Sequence, residues 1–361
     1  MKGRNIIISG GGTGGHLFPA LAIGRVLGAR DPALRLTFIG GRRSLEKELM
    51  GQHGAHFIPL KIEGIRGRGW KSWKALALLP FAFAKSLAVL LRLKPDLVIG
   101  VGGYSSGPVV LLASLLRIPT LILEQNLTPG FTNRKLTRWA DKAVVAFENS
   151  LPYFKGKGIF LGNPVREEFY AIRPKPRAVE LVLLVFGGSQ GSHILNRTMT
   201  EALPYLAAAK DRLKIFHQTG KADFDWVKSS YLRSDFSAAL VAPFFFDMAN
   251  YLAQSDLVIC RAGATTIAEL IVAQKAAILV PFARAAEDHQ AKNAAELSRV
   301  GGAEVILEKD LTPPALAGRI LEYLENKPKI TTMEKNLAVL KTDRPADAIV
   351  GLCFALLESN K

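Results

Sequence analysis

Cysteine is the scarcest chemically informative residue in this sequence. Only Cys260 and Cys353 occur among 361 residues. A single distant pair excludes a disulfide-stapled scaffold, and we expect both side chains to be reduced thiols of a cytoplasmic protein. Disorder is excluded as well, because hydrophobic residues make up 49% of the chain and their burial can offset the entropy of ordering it.

Acidic residues are also in short supply. Asp and Glu total 31 against 47 Lys and Arg, which leaves a net charge of +16. Such an excess favours an anionic partner, namely nucleic acid, anionic lipid or a phosphorylated ligand. Uniform basicity that serves solubility alone remains an alternative at this point.

Long hydrophobic runs are absent too. The most apolar stretch, 75–91, is interrupted by Pro80 and Lys85 and falls short of the roughly 20 apolar residues of a spanning helix. The apolar run at 6–8 is too short for a signal peptide, so we expect no secretion signal. Just upstream of residue 75, cations alternate with tryptophans, a pattern typical of segments in the lipid headgroup plane. A core helix behind a solvated basic loop explains the same residues equally well.

Short apolar runs that end at glycine alternate with longer helical segments, which predicts buried parallel strands joined by helical crossovers. A charged, Pro-rich connector at 173–177 separates two such series. We therefore predict two Rossmann-like domains, 1–163 and 164–345, with a C-terminal helix at 346–361 that can pack back on the first. The predicted strands are 5–9, 36–39, 97–101, 120–123 and 143–146, then 181–186, 214–217, 239–241, 257–260, 277–280 and 303–306. The first two crossover helices are predicted at 19–29 and 109–116.

Two glycine-rich loops follow strands of the first domain. The loop GGGTGGH at 10–16 has the glycine spacing of a dinucleotide fingerprint, in which backbone amides at a helix N-terminus hold a diphosphate. The acid that would bind a nicotinamide ribose is absent after the second strand, which ends in Gly40-Gly41-Arg42-Arg43. We therefore predict a phosphate cradle without a dinucleotide cofactor, and no cofactor at all. The loop GGYSSGP at 102–108 would line the same crevice.

A third loop, at 187–192, matches G-x-S-x-G. A nucleophile elbow in an α/β hydrolase has this pattern between strand and helix, with Ser189 as nucleophile and Asp256 and His289 as partners. The same loop can instead cradle a phosphate through its amides and the Ser189 hydroxyl. Both alternatives stay open on the residues alone.

Acidic residues elsewhere suggest nucleotide binding more than metal binding. Glu269 follows the glycine turn of CRAGATTIAE at 260–269 and can accept hydrogen bonds from a ribose, although a solvated helical glutamate is the alternative. Asp223 and Asp225 resemble the D-x-D of metal-dependent sugar transferases but are better explained as acids of a helix first turn. The segment 287–290 matches no zinc-ligand spacing, so we predict no metal.

Taken in order, the motifs resemble the MurG family, bacterial UDP-N-acetylglucosamine transferases that make lipid II. The motifs are GGGTGGH at 10–16, GGYSSGP at 102–108, EQN at 124–126, GNPVR at 162–166, GGSQGS at 187–192, CRAGATTIAE at 260–269 and DHQ at 288–290. The resemblance implies a GT-B fold, in which two Rossmann-like doubly wound parallel-sheet domains face a cleft.

The implied reaction is inverting transfer of N-acetylglucosamine from UDP-GlcNAc to the C4 hydroxyl of MurNAc in lipid I, a polyprenyl-pyrophosphate acceptor. The implied location is peripheral, on the cytoplasmic face of the bacterial cell membrane, with the anionic membrane surface as partner and no nucleic acid.

The resemblance also implies roles for individual residues. His16 would be the catalytic base, or would bind phosphate, and Glu269 would hold the ribose at the catalytic centre. Relatives often have Asp-Asp-Met where this chain has Phe245-Phe246-Asp247-Met248, but the base contact there is made by backbone. UDP-GlcNAc would contact Thr13, Gly14, Gly15, Asn126, Arg166, Ser189, Phe245, Gly263, Ala264, Thr265, Thr266, Glu269, His289 and Gln290. The acceptor pyrophosphate would contact Gly12, Thr13, Gly14, Gly15, Gly102, Gly103, Tyr104 and Ser105. The membrane would contact Arg66, Arg68, Trp70, Lys71, Trp73 and Lys74, with an apolar face running through Phe83.

Overall fold

The chain forms two compact units in a computed structural model that describes residues 3–11, 14–41, 51, 55–62, 72–173 and 178–359, with the backbone alone for 72–77 and 286. Unit 1 comprises Met1–Arg166 and Thr342–Lys361, and unit 2 comprises Glu167–Lys341. The boundary therefore lies at 166/167 in the structure, compared with the expected 163/164. Most of the predicted connector, 174–177, lies outside the described residues.

Unit 1 is built on a parallel sheet with strand order β3-β2-β1-β4-β5-β6-β7. The strands are β1 Asn5–Ser9, β2 Arg35–Gly40, β3 His56–Pro59, β4 Leu97–Gly100, β5 Thr120–Glu124, β6 Lys142–Val145 and β7 Gly158–Phe160. The described helices are α1 Gly14–Arg30, α2 Ser72–Leu93, α3 Ser106–Leu115, α4 Phe131–Leu136 and the C-terminal helix, which is α13.

Both faces of this sheet are covered, as its apolar strands require. Ile6 and Ile8 of β1 pack in one cluster with Ile349 of α13 (Pro345–Glu358), and α13 also contacts α1. Ile7 points to the other face and packs with Leu90 of α2. The C-terminal helix thus returns to complete the core of unit 1.

Unit 2 repeats the design with strand order β10-β9-β8-β11-β12-β13, again all parallel. Its strands are β8 Leu181–Phe186, β9 Leu213–Gln218, β10 Leu240–Ala242, β11 Leu257–Cys260, β12 Ala277–Leu279 and β13 Ala303–Val305. Its helices are α5 Glu167–Tyr170, α6 His193–Leu206, α7 Phe224–Leu232, α8 Met248–Gln254, α9 Ala264–Ala273, α10 His289–Arg299, α11 Pro313–Glu325 and α12 Lys327–Leu337.

The two sheets confirm the predicted α/β class and all eleven predicted strands, to within two residues at their ends. Two strands of unit 1 were not predicted, β3 and β7, which are its outermost strands. The prediction for the first helix was wrong at its start: α1 begins at Gly14 and not at residue 19, and Pro19 lies inside it. No helix in the described part of the chain is long and apolar enough to cross a membrane.

Candidate functional site

Polar loops gather at the carboxyl edge of the unit 1 sheet, where β1 and β4 are neighbours. The chain leaves β1 for α1 on one side and β4 for α3 on the other, so two helix N-termini start at this edge. Open α/β sheets bind ligands at such a reversal of strand order. The two loops touch, since Gly103 has φ +77° and a side chain there would collide with the carbonyl of Gly11. Gly12 and Thr13 lie outside the described residues.

Ser105 lies at the N-cap of α3 with an unusual hydroxyl. Its carbonyl accepts a hydrogen bond from Ser9 Oγ at 3.2 Å, but its own Oγ is buried and finds no partner among the described residues. Buried hydroxyl groups are almost always hydrogen-bonded, so an exception calls for an explanation, and a polar ligand is one. Tyr104, beside it, is exposed. The predicted acceptor residues of this loop thus offer a hydroxyl and a helix N-terminus to an anion.

His16, in the first turn of α1, contacts the same loop. Its ring lies against Gly102, where an added side chain would meet Nδ1 at 2.8 Å. Its Nδ1 lies 3.3 Å from Oε1 of Gln125, and Nε2 of Gln125 donates to the carbonyl of Val101 at 2.9 Å. The sequence analysis included Gln125 in the EQN motif but gave it no role, although its position directly after β5 was a usable signal.

Glu124, the last residue of β5, organises the loop that follows. One carboxylate oxygen accepts from the backbone and side-chain amides of Asn126, at 3.0 and 3.1 Å. The other accepts from the Gly130 amide and from Asn133 Nδ2, both at 3.0 Å. Asn126, predicted to bind the donor sugar, is therefore also part of this internal network.

Unit 2 has a corresponding edge between β8 and β11, where Phe186 pairs with Cys260. Helices α6 and α9 begin just beyond these two strands. The hydroxyl of Ser192 caps α6 by accepting from the Leu195 amide at 3.5 Å, whereas Gly263 at the N-cap of α9 supplies no side-chain cap. Gly191 has φ +76° and packs so closely on the carbonyl of Thr219 that no side chain fits. The edge can therefore admit a diphosphate between two helix N-termini.

The geometry does not support the alternative hydrolase triad. Asp256 accepts from the backbone amide of Val182 at 2.9 Å, which holds it at the amino end of β8. Ser189 follows the carboxyl end of that strand, about 13 Å further along at 3.3 Å per residue. Ser189 also precedes α6 by four residues, so it is not at the sharp strand-to-helix turn of an elbow.

Glu269 lies one turn beyond Thr265 on α9, and both are buried. Four-residue spacing puts them on one face of the helix. Burial, with the Glu269 charge as a second cause, raises the pKa of the Cys260 thiol at the end of β11. The carboxylate is thus held close to the end of the central strand.

Arg261 connects this edge to the segment that follows β12. Its guanidinium donates to the carbonyls of Val280 and Pro281 at 3.1 and 3.3 Å and pairs with Glu308 at 2.6 Å. Burial, as the largest cause, lowers the pKa of Arg261, and the Glu308 carboxylate opposes this. The arginine therefore fixes the loop that leads to α10.

The N-terminal turn of α10 carries the predicted donor residues His289 and Gln290. Gln290 Oε1 accepts from the Phe282 amide at 3.0 Å, so its amide group holds the preceding loop. Glu287 and Asp288 both adopt left-handed backbone, with φ 56° and 52°. Such conformations in residues other than glycine concentrate at functional sites.

Gln218, at the end of β9, joins two loops and was also missed from the sequence. It is buried, its Nε2 donates to the carbonyl of Gly188 at 3.1 Å, and its Oε1 accepts from the Phe245 amide at 2.8 Å. The Phe245 ring stacks on Tyr251 with centroids 4.0 Å apart. The Phe245 amide is therefore engaged internally.

Asp223 belongs to a network of side chains at the start of α7. Burial raises its pKa, but hydrogen bonds from Trp226, Asn196 and His193 outweigh that cause and lower it. As expected, Asp223 and Asp225 lie at the start of α7. Across the described ranges, no three His, Cys, Asp or Glu side chains are grouped to hold a metal ion.

The predicted donor residues are divided between the units. Gly14, Gly15, Asn126 and Arg166 belong to unit 1, and the guanidinium of Arg166 lies over the Phe18 ring at 4.4 Å. Unit 2 holds the remainder, which are Ser189, Phe245, Gly263, Ala264, Thr265, Thr266, Glu269, His289 and Gln290.

Helix α2 carries large apolar side chains that are exposed to solvent. Phe81 is 74% exposed, and Leu87 and Leu91 are exposed further along the helix, while Leu90 packs into the core. Phe83, expected on the outer face, is only half exposed. Of the predicted membrane residues, Arg66, Arg68, Trp70 and Lys71, and the side chains of Trp73 and Lys74, lie outside the described part.

Comparison with known proteins gives a consistent result over both units. The glycosyltransferase family 28 N-terminal domain matches residues 6–145, and the corresponding C-terminal domain matches residues 182–349. A protein of Syntrophus aciditrophicus (strain SB), named UDP-N-acetylglucosamine--N-acetylmuramyl-(pentapeptide) pyrophosphoryl-undecaprenol N-acetylglucosamine transferase, is 43% identical over 98% of this chain and 98% of its own.

Two solved structures are similar along nearly the whole chain. The crystal structure of Acinetobacter baumannii MurG has a TM-score of 0.72 and 31% identity, covering 97% of this chain and 98% of its own. The calicheamicin glycosyltransferase CalG4 has a TM-score of 0.68 at 15% identity, with 99% of each chain covered, which shows likeness of fold alone.

Proposed function

The chain belongs to glycosyltransferase family 28, and within it to the MurG family, and from this we propose that it transfers N-acetylglucosamine from UDP-GlcNAc to the C4 hydroxyl of MurNAc in lipid I, forming lipid II for peptidoglycan synthesis. The observation that carries the proposal is that two helices begin at one edge of each parallel sheet. A sugar nucleotide and a polyprenyl-pyrophosphate acceptor each present a diphosphate, and helix N-termini attract such groups.

Unit 2 is the donor-binding unit in this proposal. The diphosphate of UDP lies against the N-termini of α6 and α9, with Ser189 and the 263–266 turn as donors. Glu269 accepts from the ribose hydroxyls, and the Phe245 carbonyl accepts from the N3–H of uracil. His289 and Gln290, held at the start of α10, contact diphosphate and sugar.

Unit 1 is the acceptor-binding unit. The lipid pyrophosphate lies at the N-termini of α1 and α3, where the buried Ser105 hydroxyl supports the presence of a polar ligand. Gly102, Gly103 and Tyr104 line the same edge, and His16 lies against Gly102.

The reaction is an inverting displacement. The acceptor hydroxyl loses its proton to His16, its oxygen bonds to the anomeric carbon, and the carbon–oxygen bond to the diphosphate breaks with its electron pair leaving on UDP. A neutral imidazole can take that proton as a general base. Preorganised helix dipoles stabilise the charge that develops on the diphosphate.

The decisive assay is UDP release from UDP-GlcNAc with a short-chain lipid I analogue in the presence of EDTA. We expect UDP release that requires the acceptor and persists with EDTA. The release should fall in Glu269→Ala. A protein that binds UDP but releases none with the acceptor would refute the acceptor assignment. Absence of any UDP binding would refute the donor site as well.

A membrane surface completes the proposal, because the polyprenyl acceptor stays in the bilayer. Phe81 and Leu91 of α2 enter the headgroup region of an anionic leaflet on its cytoplasmic side, and basic residues contact its phosphates. Exposed Leu115 and Leu116 at the end of α3, and Trp139 with Arg138 5.6 Å over its ring, extend this apolar and basic surface. Helix α3 packs on α2, and Ser114 bonds to the Trp139 carbonyl at 2.7 Å.

Vesicle co-sedimentation tests this surface. Phe81→Glu should weaken binding to phosphatidylglycerol-containing vesicles about tenfold or more, since burying one phenylalanine contributes roughly 1.5–3 kcal/mol. Val339→Glu, which also replaces a highly exposed apolar residue but in unit 2, is the matched control. Equal binding by both variants, or equal binding to neutral vesicles, would contradict the proposal.

A further inference from the structure

The contacts of Gln125 lead to an inference that rests on the proposed function of His16. We infer that Gln125 is a positioning residue that sets the tautomer of His16, holding the proton on Nδ1 so that Nε2 is the atom that accepts a proton from the acceptor hydroxyl.

The orientation of the Gln125 amide follows from its other contact. Its second polar atom faces the carbonyl of Val101 at 2.9 Å. A carbonyl oxygen only accepts hydrogen bonds, so the group facing it must be the NH₂. Gln125 and Val101 are both buried, so water does not compensate for the opposite orientation of the amide.

The orientation of the amide in turn assigns the histidine. With NH₂ directed to Val101, the oxygen of Gln125 faces His16 Nδ1 at 3.3 Å. An amide oxygen has no proton to give, so Nδ1 must be the donor. A neutral imidazole carries one proton, and its lone pair is therefore on Nε2.

The ring is also held sterically. Gly102 lies against the Cε1–Nδ1 edge of His16, where even a single added carbon would approach to 2.8 Å. The same loop supplies the carbonyl of Val101 that anchors Gln125. One segment after β4 thus places both the ring and the residue that orients it.

Glu124, the neighbouring carboxylate, does not take this role. Both of its oxygens are engaged by the loop after β5, through Asn126, Gly130 and Asn133. The orienting group of this site is therefore a neutral amide, in contrast to the carboxylate of a Ser-His-Asp triad. When Nε2 takes up a proton, the bond from Nδ1 to Gln125 is unchanged, so proton transfer needs no rearrangement there.

The direct test is the tautomer of His16 in the full-length protein, read from ¹⁵N shifts of labelled histidine at about pH 8.5, where imidazole is neutral. The His16 signal is identified by its loss in His16→Gln. Nδ1–H is expected in the wild type, with a change towards Nε2–H in Gln125→Met, a side chain of similar length without the amide. Gln254→Met, at an exposed glutamine of α8, should leave the signal unchanged. Nε2–H in the wild type, or the same tautomer in Gln125→Met, would overturn the inference.

Kinetics separate positioning from a general structural effect. Gln125→Met should lower kcat about tenfold or more with KM for UDP-GlcNAc unchanged, because misplacing the proton disables the base. In a His16→Ala background the same change should have no further effect, whereas independent losses would refute action through His16. Since the tautomer needs no substrate, Nδ1–H in a protein without turnover would refute the proposed function and the catalytic role of Nε2, and would leave only the tautomer assignment standing. Turnover with Nε2–H would do the reverse.

Discussion

The carboxylate of Glu124 allows a quantitative prediction about the stability of unit 1. In Glu124→Gln, one of the two oxygens becomes an NH₂ group. Each oxygen accepts two hydrogen bonds, at 3.0–3.1 Å, so either orientation of the glutamine places a donor against two donors. The substitution keeps shape and volume and changes only charge and hydrogen bonding.

The expected cost follows from the number of bonds removed. A hydrogen bond to a charged group contributes about 1.5–3 kcal/mol, so the loss of two predicts destabilisation of about 3–6 kcal/mol. For a unit of this size, 3 kcal/mol lowers Tm by roughly 6–12 °C. The segment from Asn126 to Asn133 should loosen first, because all four bonds are donated by residues of that segment.

Native-state hydrogen exchange of the β4 and β5 amides measures the change within unit 1, and avoids assuming that both units unfold together. Glu358→Gln, an exposed acid at the end of α13, is the control and should stay within about 0.5 kcal/mol of the wild type. Protection in Glu124→Gln within the same margin would refute the reasoning, since it would mean that the four bonds contribute nothing net.

Three further predictions concern unit 2. Burial lowers the pKa of His217 to about 3, compared with about 6.5 in the unfolded chain. Between pH 6.5 and pH 3 the unfolded chain therefore binds more protons than the folded one. The free energy of unfolding should fall as the pH decreases, by about 2 kcal/mol at pH 5. Denaturant titrations should show a shallower fall in His217→Gln, and equal slopes would contradict this. Gln218→Met should raise KM for UDP-GlcNAc several-fold, since Gly188 and Phe245 lose their shared support, with kcat changed little and Gln254→Met as control; an unchanged KM would argue against it. Cys260 is fully buried with a raised pKa, so iodoacetamide should label it only after unfolding, and mass spectrometry of the native protein showing rapid labelling would disprove this burial.

The interior of each sheet was predictable from the sequence. Strands such as β4 and β8 are uninterrupted apolar runs followed by glycine, and a run of that kind has few alternatives to burial between helices. The glycine loops were predictable for the same local reason. Glycine has no side chain, so the backbone of these loops can come close to an anion.

The edge strands show where local patterns fail. Strands β3 (HFIP) and β7 (GIF) are short and mostly half-exposed. They form strands because they pair with β2 and β6, since their own residues carry no clear strand pattern. The start of α1 was misplaced because proline is common in a first turn, whereas the helix here begins at Gly14 and accommodates Pro19.

By itself, the sequence determined the two-domain α/β class, the positions of the glycine-rich loops and the family, because these depend on residues adjacent in the chain. The tertiary structure alone decided that Gln125 meets His16 and Val101, that Gln218 joins Gly188 to Phe245, and that Asp256 lies at the wrong end of β8 for Ser189. Glutamine has no spacing signature, and its role depends on which groups distant in sequence the parallel sheet brings within 3 Å or so of its amide.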